Sequence, residues 1–326
     1  MLTTAVLDAA GEKFQRAARA ESTWRAYQSD WKDFVEWCTD RQVAAVPAEA
    51  ETVARYLVAL AAAGLKPATL YRRLASISVV CETLGHPNPT RDRMIRDRLS
   101  GIVRVMGTAQ AQAAPATTAE IRKMVASLES PATGGRRPAT NLHAVRDRAI
   151  ILVGFAAALR RSELAGLNLA DIRSVPQGLE VSIRRSKTDQ WGAGVVVAVP
   201  YGSHHETCPV RSLNEWITAA ELAPTTDRGT QALFRSISPD GWLLGRMSGQ
   251  AVSQVVARAA KRAGLDPNAN WSGHSLRAGL ATSAARAGVP DRVIMATTRH
   301  RSRTTLDRYI REGKRWDKVA AASVGL

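Results

Sequence analysis

The segment Ala149-Ile150-Ile151-Leu152-Val153-Gly154-Phe155 is apolar on every side, and its apolar character runs on through Ala158. It is too long to be only a strand. A helix without a polar face survives in water only when other elements enclose it. The chain must therefore build further secondary structure around this segment, which places a buried helix at the centre of a domain. With 326 residues in all, there is material for about two domains, each able to bury a core of its own.

The first hundred residues carry a different pattern, four amphipathic stripes. Trp24, Tyr27, Trp31, Phe34 and Cys38 recur at spacings of three and four, which sets them on one helical face. Val53, Tyr56, Leu57 and Leu60 form a second stripe, stopped by Gly64. A third has Pro67 in its first turn and runs through Leu70, Leu74, Ile77, Cys81 and Leu84 to Gly85. Met94, Ile95, Leu99, Ile102 and Val103 make the fourth. Such stripes need one another for burial, so a compact helical bundle is expected, with the aromatic stripe as core.

From Gly107 to Thr118 the sequence becomes small and polar, with no stripe, and reads as a linker. Helical spacing resumes at Ala119 with Ile121, Met124, Val125 and Leu128. Strand character is expected in one place, the β-branched runs Leu179–Ile183 and Val195–Val199, separated by the polar turn Arg184-Arg185-Ser186-Lys187-Thr188-Asp189. A β-hairpin, part of a three-stranded edge sheet, follows. The fold class is mainly α with a small antiparallel β-sheet (α+β).

Charge narrows the partners. Residues 1–110 hold 15 basic and 12 acidic side chains, whereas residues 111–326 hold 30 and 17. Such a surplus in the larger part points to a polyanion, nucleic acid above all, although a basic surface can also serve solubility alone. Cys38, Cys81 and Cys208 form no CxxC pair, so neither zinc nor a disulfide framework is indicated. His204, His205 and Cys208 lack a second ligand pair and read as an ordinary loop before a helix. No apolar run reaches membrane-span length and no secretory signal opens the chain, so a soluble protein is expected, cytoplasmic and associated with the nucleoid.

Five sites carry candidate chemistry. They are Arg160 and Arg161 just after the buried helix, Lys187 at the hairpin tip, Ser272-Gly273-His274-Ser275-Leu276-Arg277, Arg299-His300-Arg301, and Tyr309, nine residues beyond His300. His274 and Arg277 stand three apart and share a helix face. Taken singly, each has a plain explanation. An arginine after a helix caps it, H-x-x-R recurs by chance, and a lone tyrosine is usually core.

In this order, however, they resemble the tyrosine recombinases (the phage integrase family), whose pattern is Arg, Lys, H-x-x-R, His or Trp, then Tyr. The phrases A-L-R-R-S-E-L, S-G-H-S-L-R and L-D-R-Y-I support the resemblance, which is strongest over residues 145–313 and nearest the Cre-like branch. That branch often has Trp where His300 stands. The resemblance implies a SAM-like, core-binding helical bundle over 1–107, a linker over 108–118 and a catalytic domain over 119–326. It also implies a docking helix over 314–326, where Trp316, Val319, Ala320 and Val324 lie at helical spacing. The implied partner is double-stranded DNA with an inverted-repeat site, bound by a tetramer at synapsis, with no cofactor and no metal.

The residue types suit that chemistry. Attack by a phenol on a phosphodiester gathers negative charge in the transition state, which fixed positive donors stabilise. Arg160 and Arg277 are planar, bidentate and always charged. Lys187 can protonate the leaving 5′ oxygen, which guanidinium cannot do at neutral pH. The resemblance assigns Tyr309 as nucleophile, His274 as its proton carrier, His300 as a donor to phosphate and Glu163 as an auxiliary orienting residue. Arg72, Arg73 and Arg96 are candidates for DNA contact. Two rivals stand beside this reading, a type IB topoisomerase-like nicking-closing enzyme and a non-enzymatic DNA-binding protein.

Overall fold

The computed structural model describes residues 21–107, 112–129, 142–184, 194–222, 229–300, 302–304, 306, 307 and 309. Lys187 and the tail stripe from Trp316 to Val324 lie outside them. The chain divides into two compact units, residues 1–110 and 111–326.

The first unit packs α1 (Glu21–Thr39), α2 (Ala50–Ala62), α3 (Pro67–Thr83) and α4 (Arg93–Met106). Pro67 opens α3 at its first position, where its missing N–H costs nothing. Asp92 caps α4 by accepting from the Met94 N–H. Phe34, Val53, Tyr56, Leu57, Leu70 and Ile77 are fully buried, with the Phe34 and Tyr56 rings 5.0 Å apart. The expected stripes are the core, with two departures. Trp24 and Tyr27 stay half-buried outside the central cluster, and Leu84 falls just past the end of α3, where it is exposed.

Two arginines on α3 are tied to their own unit. Arg73 is only 13% exposed, donates to the Tyr56 hydroxyl and pairs with Asp33. Its guanidinium thus has partners within its own bundle. Arg72 pairs with Asp30 at 3.0 Å but keeps an exposed edge. Arg96 on α4 is exposed.

The second unit is built around α6 (Leu142–Ala156), whose residues Ala149 to Val153 are buried as an all-apolar helix requires. Around it lie α5 (Thr118–Glu129), α7 (Arg161–Gly166), α8 (Pro209–Ala219), α9 (Gly249–Arg262), α10 (Gly273–Arg286) and α11 (Asp291–Thr298). Strands β1 (Ile172–Val175), β2 (Gly178–Ile183) and β3 (Val195–Pro200) form an antiparallel sheet in that order, with Leu179 opposite Val199. Leu179, Val181, Ile183, Val197 and Val199 turn inward at period two. A second antiparallel pair, β4 (Arg235–Ile237) and β5 (Leu243–Arg246), corrects the expectation of strand character in one place only. The His204 loop holds no metal set: both histidines are exposed, while buried Cys208 accepts from the Gly202 N–H.

The end of the stretch read as linker is anchored. Ala114 N–H donates to Asn270 O and Ala116 N–H to Ser275 O, and Ala116 is fully buried. This segment fits because Gly279 of α10 has no side chain; a Cβ there would meet the Ala116 carbonyl oxygen at 1.8 Å. Backbone cannot swing aside as a flexible side chain can. Gly279→Ala should therefore cost on the order of 1–3 kcal/mol, read as a lower denaturation midpoint. A midpoint unchanged within error would show the segment to be loosely held.

Candidate active site

The sequence places Arg160 immediately after the buried helix, and the backbone there turns sharply. Ala158 adopts the left-handed conformation at φ 46°, and Arg160 becomes the N-cap of α7. Glu163, at the third position of α7, reaches back to accept from the Arg160 N–H at 2.9 Å and from its Nη1 at 2.5 Å. The spacing of three is that of a helix-capping carboxylate, here also bound to the side chain it caps. Burial would raise the Glu163 pKa, but the bonds from Arg160 and the charge of Arg299 hold it below the ordinary carboxylate value.

His274 in the first turn of α10 and Arg277 one turn further on share a face, as their spacing predicts. Arg277 is 1% exposed; Nη1 donates to the Ala158 carbonyl at 2.8 Å, while buried Nη2 has no partner among the described residues. Burial, with the cations of Arg160 and Arg299 nearby, pushes its pKa down to about 9, so it stays charged at neutral pH. An inward-facing cation with an unused donor is a site prepared for an anion.

Tyr309 is buried against Ala278, Ala281, Ala285, Ile294 and Leu306. Its hydroxyl lies 2.7 Å from His274 Nε2. His274 keeps an exposed edge, yet burial of the rest and the charges of Arg277 and Arg160 lower its pKa below 6.5. The ring is then neutral at physiological pH and can take the phenol proton. His300 stacks on Tyr309 with centroids 5.6 Å apart. Burial and four neighbouring bases push its pKa down to about 4.

The Thr298 hydroxyl donates to Ile294 O at 2.6 Å and lies 2.8 Å from His300 Nδ1. Having one proton, already given, it accepts from Nδ1–H, which leaves a lone pair at Nε2. Donation from Nε2 to a phosphate then requires that nitrogen to gain a proton, which an arriving anion favours.

Arg160, Glu163, His274, Arg277, His300 and Tyr309 thus come together, as the sequence order implies. Lys187 lies outside the described residues. Arg299, named in the sequence only beside His300 and given no role, contacts Glu163 and the 157–158 carbonyls. Arg161 is turned away, toward Gln250 and Ser253. Among the described residues no group of His, Cys, Asp and Glu could hold a metal ion. No described helix is long and apolar enough to cross a membrane.

A phenol hydrogen-bonded to a neutral histidine, inside a cluster of arginines on a mainly helical unit, is equipped for phosphodiester transesterification. Residues 116–315 match the phage integrase family and residues 14–84 its N-terminal SAM-like domain. The chain belongs to that family and is a tyrosine recombinase. It is 35% identical over 300 residues to an integrase/recombinase xerD homolog of Selenomonas ruminantium, covering 91% of this chain and 83% of the relative. It is 27% identical over 289 residues to recombinase cre of Escherichia phage P1, covering 84% and 79%. Its fold is similar to XerH recombinase bound to palindromic difH in a post-cleavage complex (TM-score 0.57, 20% identity, 85% of this chain, 72% of that one). It is also similar to a lambda integrase tetramer on a Holliday junction (TM-score 0.57, 16% identity, 96% and 78%).

Proposed function

We propose that this protein is a site-specific DNA recombinase that cleaves and rejoins strands through a 3′-phosphotyrosine at Tyr309 and a Holliday junction. The observation that carries the reading is the 2.7 Å contact between the Tyr309 hydroxyl and neutral His274, beside a buried arginine with an unused donor. Tyr309 attacks the phosphorus, His274 takes its proton, and a 5′ hydroxyl leaves. Arg160 and Arg277 bear the charge that grows on the non-bridging oxygens. His300, protonated as the phosphate arrives, donates from Nε2. The phosphotyrosine bond keeps the energy of the broken linkage, so the returning hydroxyl needs no nucleotide. Lys187 supplies the proton to the leaving oxygen.

The partner is double-stranded DNA bearing an inverted repeat, with Arg72, Arg73 and Arg96 as candidate contacts outside the site. Four protomers assemble at synapsis, the 314–326 segment docking on a neighbour. The place of action is the cytoplasm, at the nucleoid. Relatives named as recombinases favour this over the topoisomerase-like and non-enzymatic readings.

The test is to select bound duplexes from random DNA and join two copies of the selected site in one plasmid. Recombinant products should appear between the copies, and binding should weaken steeply with salt as phosphate contacts release counterions. Relaxation of a plasmid without the site would favour a topoisomerase. Binding without any covalent adduct would favour a non-enzymatic protein.

A further inference from the structure

Arg299 occupies a position where a helix end ordinarily has glycine. It follows α11 with φ 56° and ψ 40°, the left-handed conformation that a Cβ disfavours. A non-glycine residue persists there when its surroundings over-determine it. The surroundings here are four acceptors: Nη1 donates to the carbonyls of Ala157 and Thr297, each at 3.1 Å. Nη2 donates to the Ala158 carbonyl at 3.1 Å and to Glu163 Oε2 at 2.8 Å.

Two of these acceptors also hold the arginines of the site. Glu163 binds Arg160 through both its backbone N–H and Nη1, and the Ala158 carbonyl takes Nη1 of Arg277 at 2.8 Å. Ala158 is itself left-handed, at φ 46°. Two strained residues thus face each other through a single hydrogen bond at the point where both arginines are tethered. A cap on α11 would need only the Thr297 contact. The other three bonds reach across to residues far away in the chain, and the side chain is only 9% exposed.

We propose that Arg299 is a positioning residue for both arginines of the site. It holds the Glu163 carboxylate and the Ala158 carbonyl together, and so fixes the acceptors on which Arg160 and Arg277 rest. The proposal deepens the recombinase reading and rests on it for its consequence in catalysis. Its charge acts in the same direction: one carboxylate lies among three arginines, so Glu163 is kept ionised and the site keeps a surplus of positive charge for a phosphate.

The test compares Arg299→Gly, Arg299→Lys, Glu163→Gln and the Arg299→Gly/Glu163→Gln double variant with the wild type. Glycine suits the left-handed backbone, so Arg299→Gly removes the side chain without disturbing the turn that leads into His300. On the duplex that the wild type selects from random DNA, Arg299→Gly should slow covalent adduct formation at saturating DNA by about 10- to 100-fold, because a small misplacement of positioned groups has that effect. DNA affinity should hardly change. Lysine reaches fewer acceptors at once and should restore only part of the rate. The effects of Arg299→Gly and Glu163→Gln should not multiply, since each removes the same contact.

A helix-capping role alone would lower the denaturation midpoint of Arg299→Gly, leave the cleavage rate of the folded protein intact and give additive losses; that result overturns the proposal. The midpoints of the four proteins of the cycle, measured without DNA, separate this from a failure of the recombinase reading. Should the wild type form no adduct on any DNA, non-additive midpoints would still support the lock, and additive ones would remove it.

Discussion

Tyr309→Phe is expected to bind the selected DNA as the wild type does and to yield no covalent protein–DNA species on a denaturing gel. The substitution deletes one oxygen from a side chain otherwise packed among Ala278, Ala281, Ala285, Ile294 and Leu306. The packing survives, and the lost hydrogen bond to His274 costs about 1 kcal/mol of stability. Chemistry does not survive, because no other atom at that position can form the phosphoester. A covalent band from this variant would move the nucleophile elsewhere. The same contact sets the pH response of the wild type. His274 must be neutral to accept the proton, and its pKa is lowered from 6.5 by burial and by the charges of Arg277 and Arg160. Cleavage should therefore persist at pH 6.5 and fall only as the pH drops through that lower value. An acid limb centred above 6.5 would contradict a neutral, desolvated His274.

The parts of this architecture that the sequence made legible are those with periodicity or fixed spacing. Residues 149–153 could only be a buried helix, and His274 and Arg277, three apart, could only share a face if their segment was helical. The four stripes of the first unit were likewise readable, because spacing of three and four is a direct image of the helix. What escaped has no period. Ala114 to Thr117 looked like linker because small residues carry no stripe; their anchorage depends on the missing Cβ of Gly279, far away in the chain. Strands β4 and β5 are only three and four residues long, too short to show alternation. Arg73 looked like a surface cation because its partners, Asp33 and Tyr56, come from two other helices. Arg299 stood in the sequence only as the neighbour of His300, with no role of its own. Only the left-handed turn and the approach of residues 157–163 reveal what it binds. Its one sequence signal was its place beside His300.

Lys187→Ala is expected to slow cleavage of ordinary DNA by roughly 10²–10⁴-fold, the range in which a positioned proton donor acts. The argument begins with the groups around Tyr309. Their permanent cations, among the described residues, are Arg160, Arg277 and Arg299, all guanidinium groups that stabilise charge but do not surrender protons near neutrality. The two histidines have no proton to give at the outset, since burial lowers both pKa values, His300 to about 4, and the proton that His300 gains with the phosphate is held on a non-bridging oxygen. Moreover, His274 is engaged with the attacking phenol, on the opposite side of phosphorus from the leaving oxygen in an in-line displacement. The departing 5′ oxygen thus needs a different donor, and a lysine ammonium, whose pKa responds readily to its surroundings, is suited to give one. Lys187 belongs to the segment joining β2, which ends at Ile183, to β3, which begins at Val195. Lys187→Arg, which keeps the charge but not the labile proton, should be nearly as slow as Lys187→Ala. A substrate with sulfur at the 5′ bridging position has a leaving group that needs no proton, and it should restore most of the rate to both variants. Equal impairment on the oxygen and sulfur substrates would mean that Lys187 binds or orients the DNA and that another group is the acid.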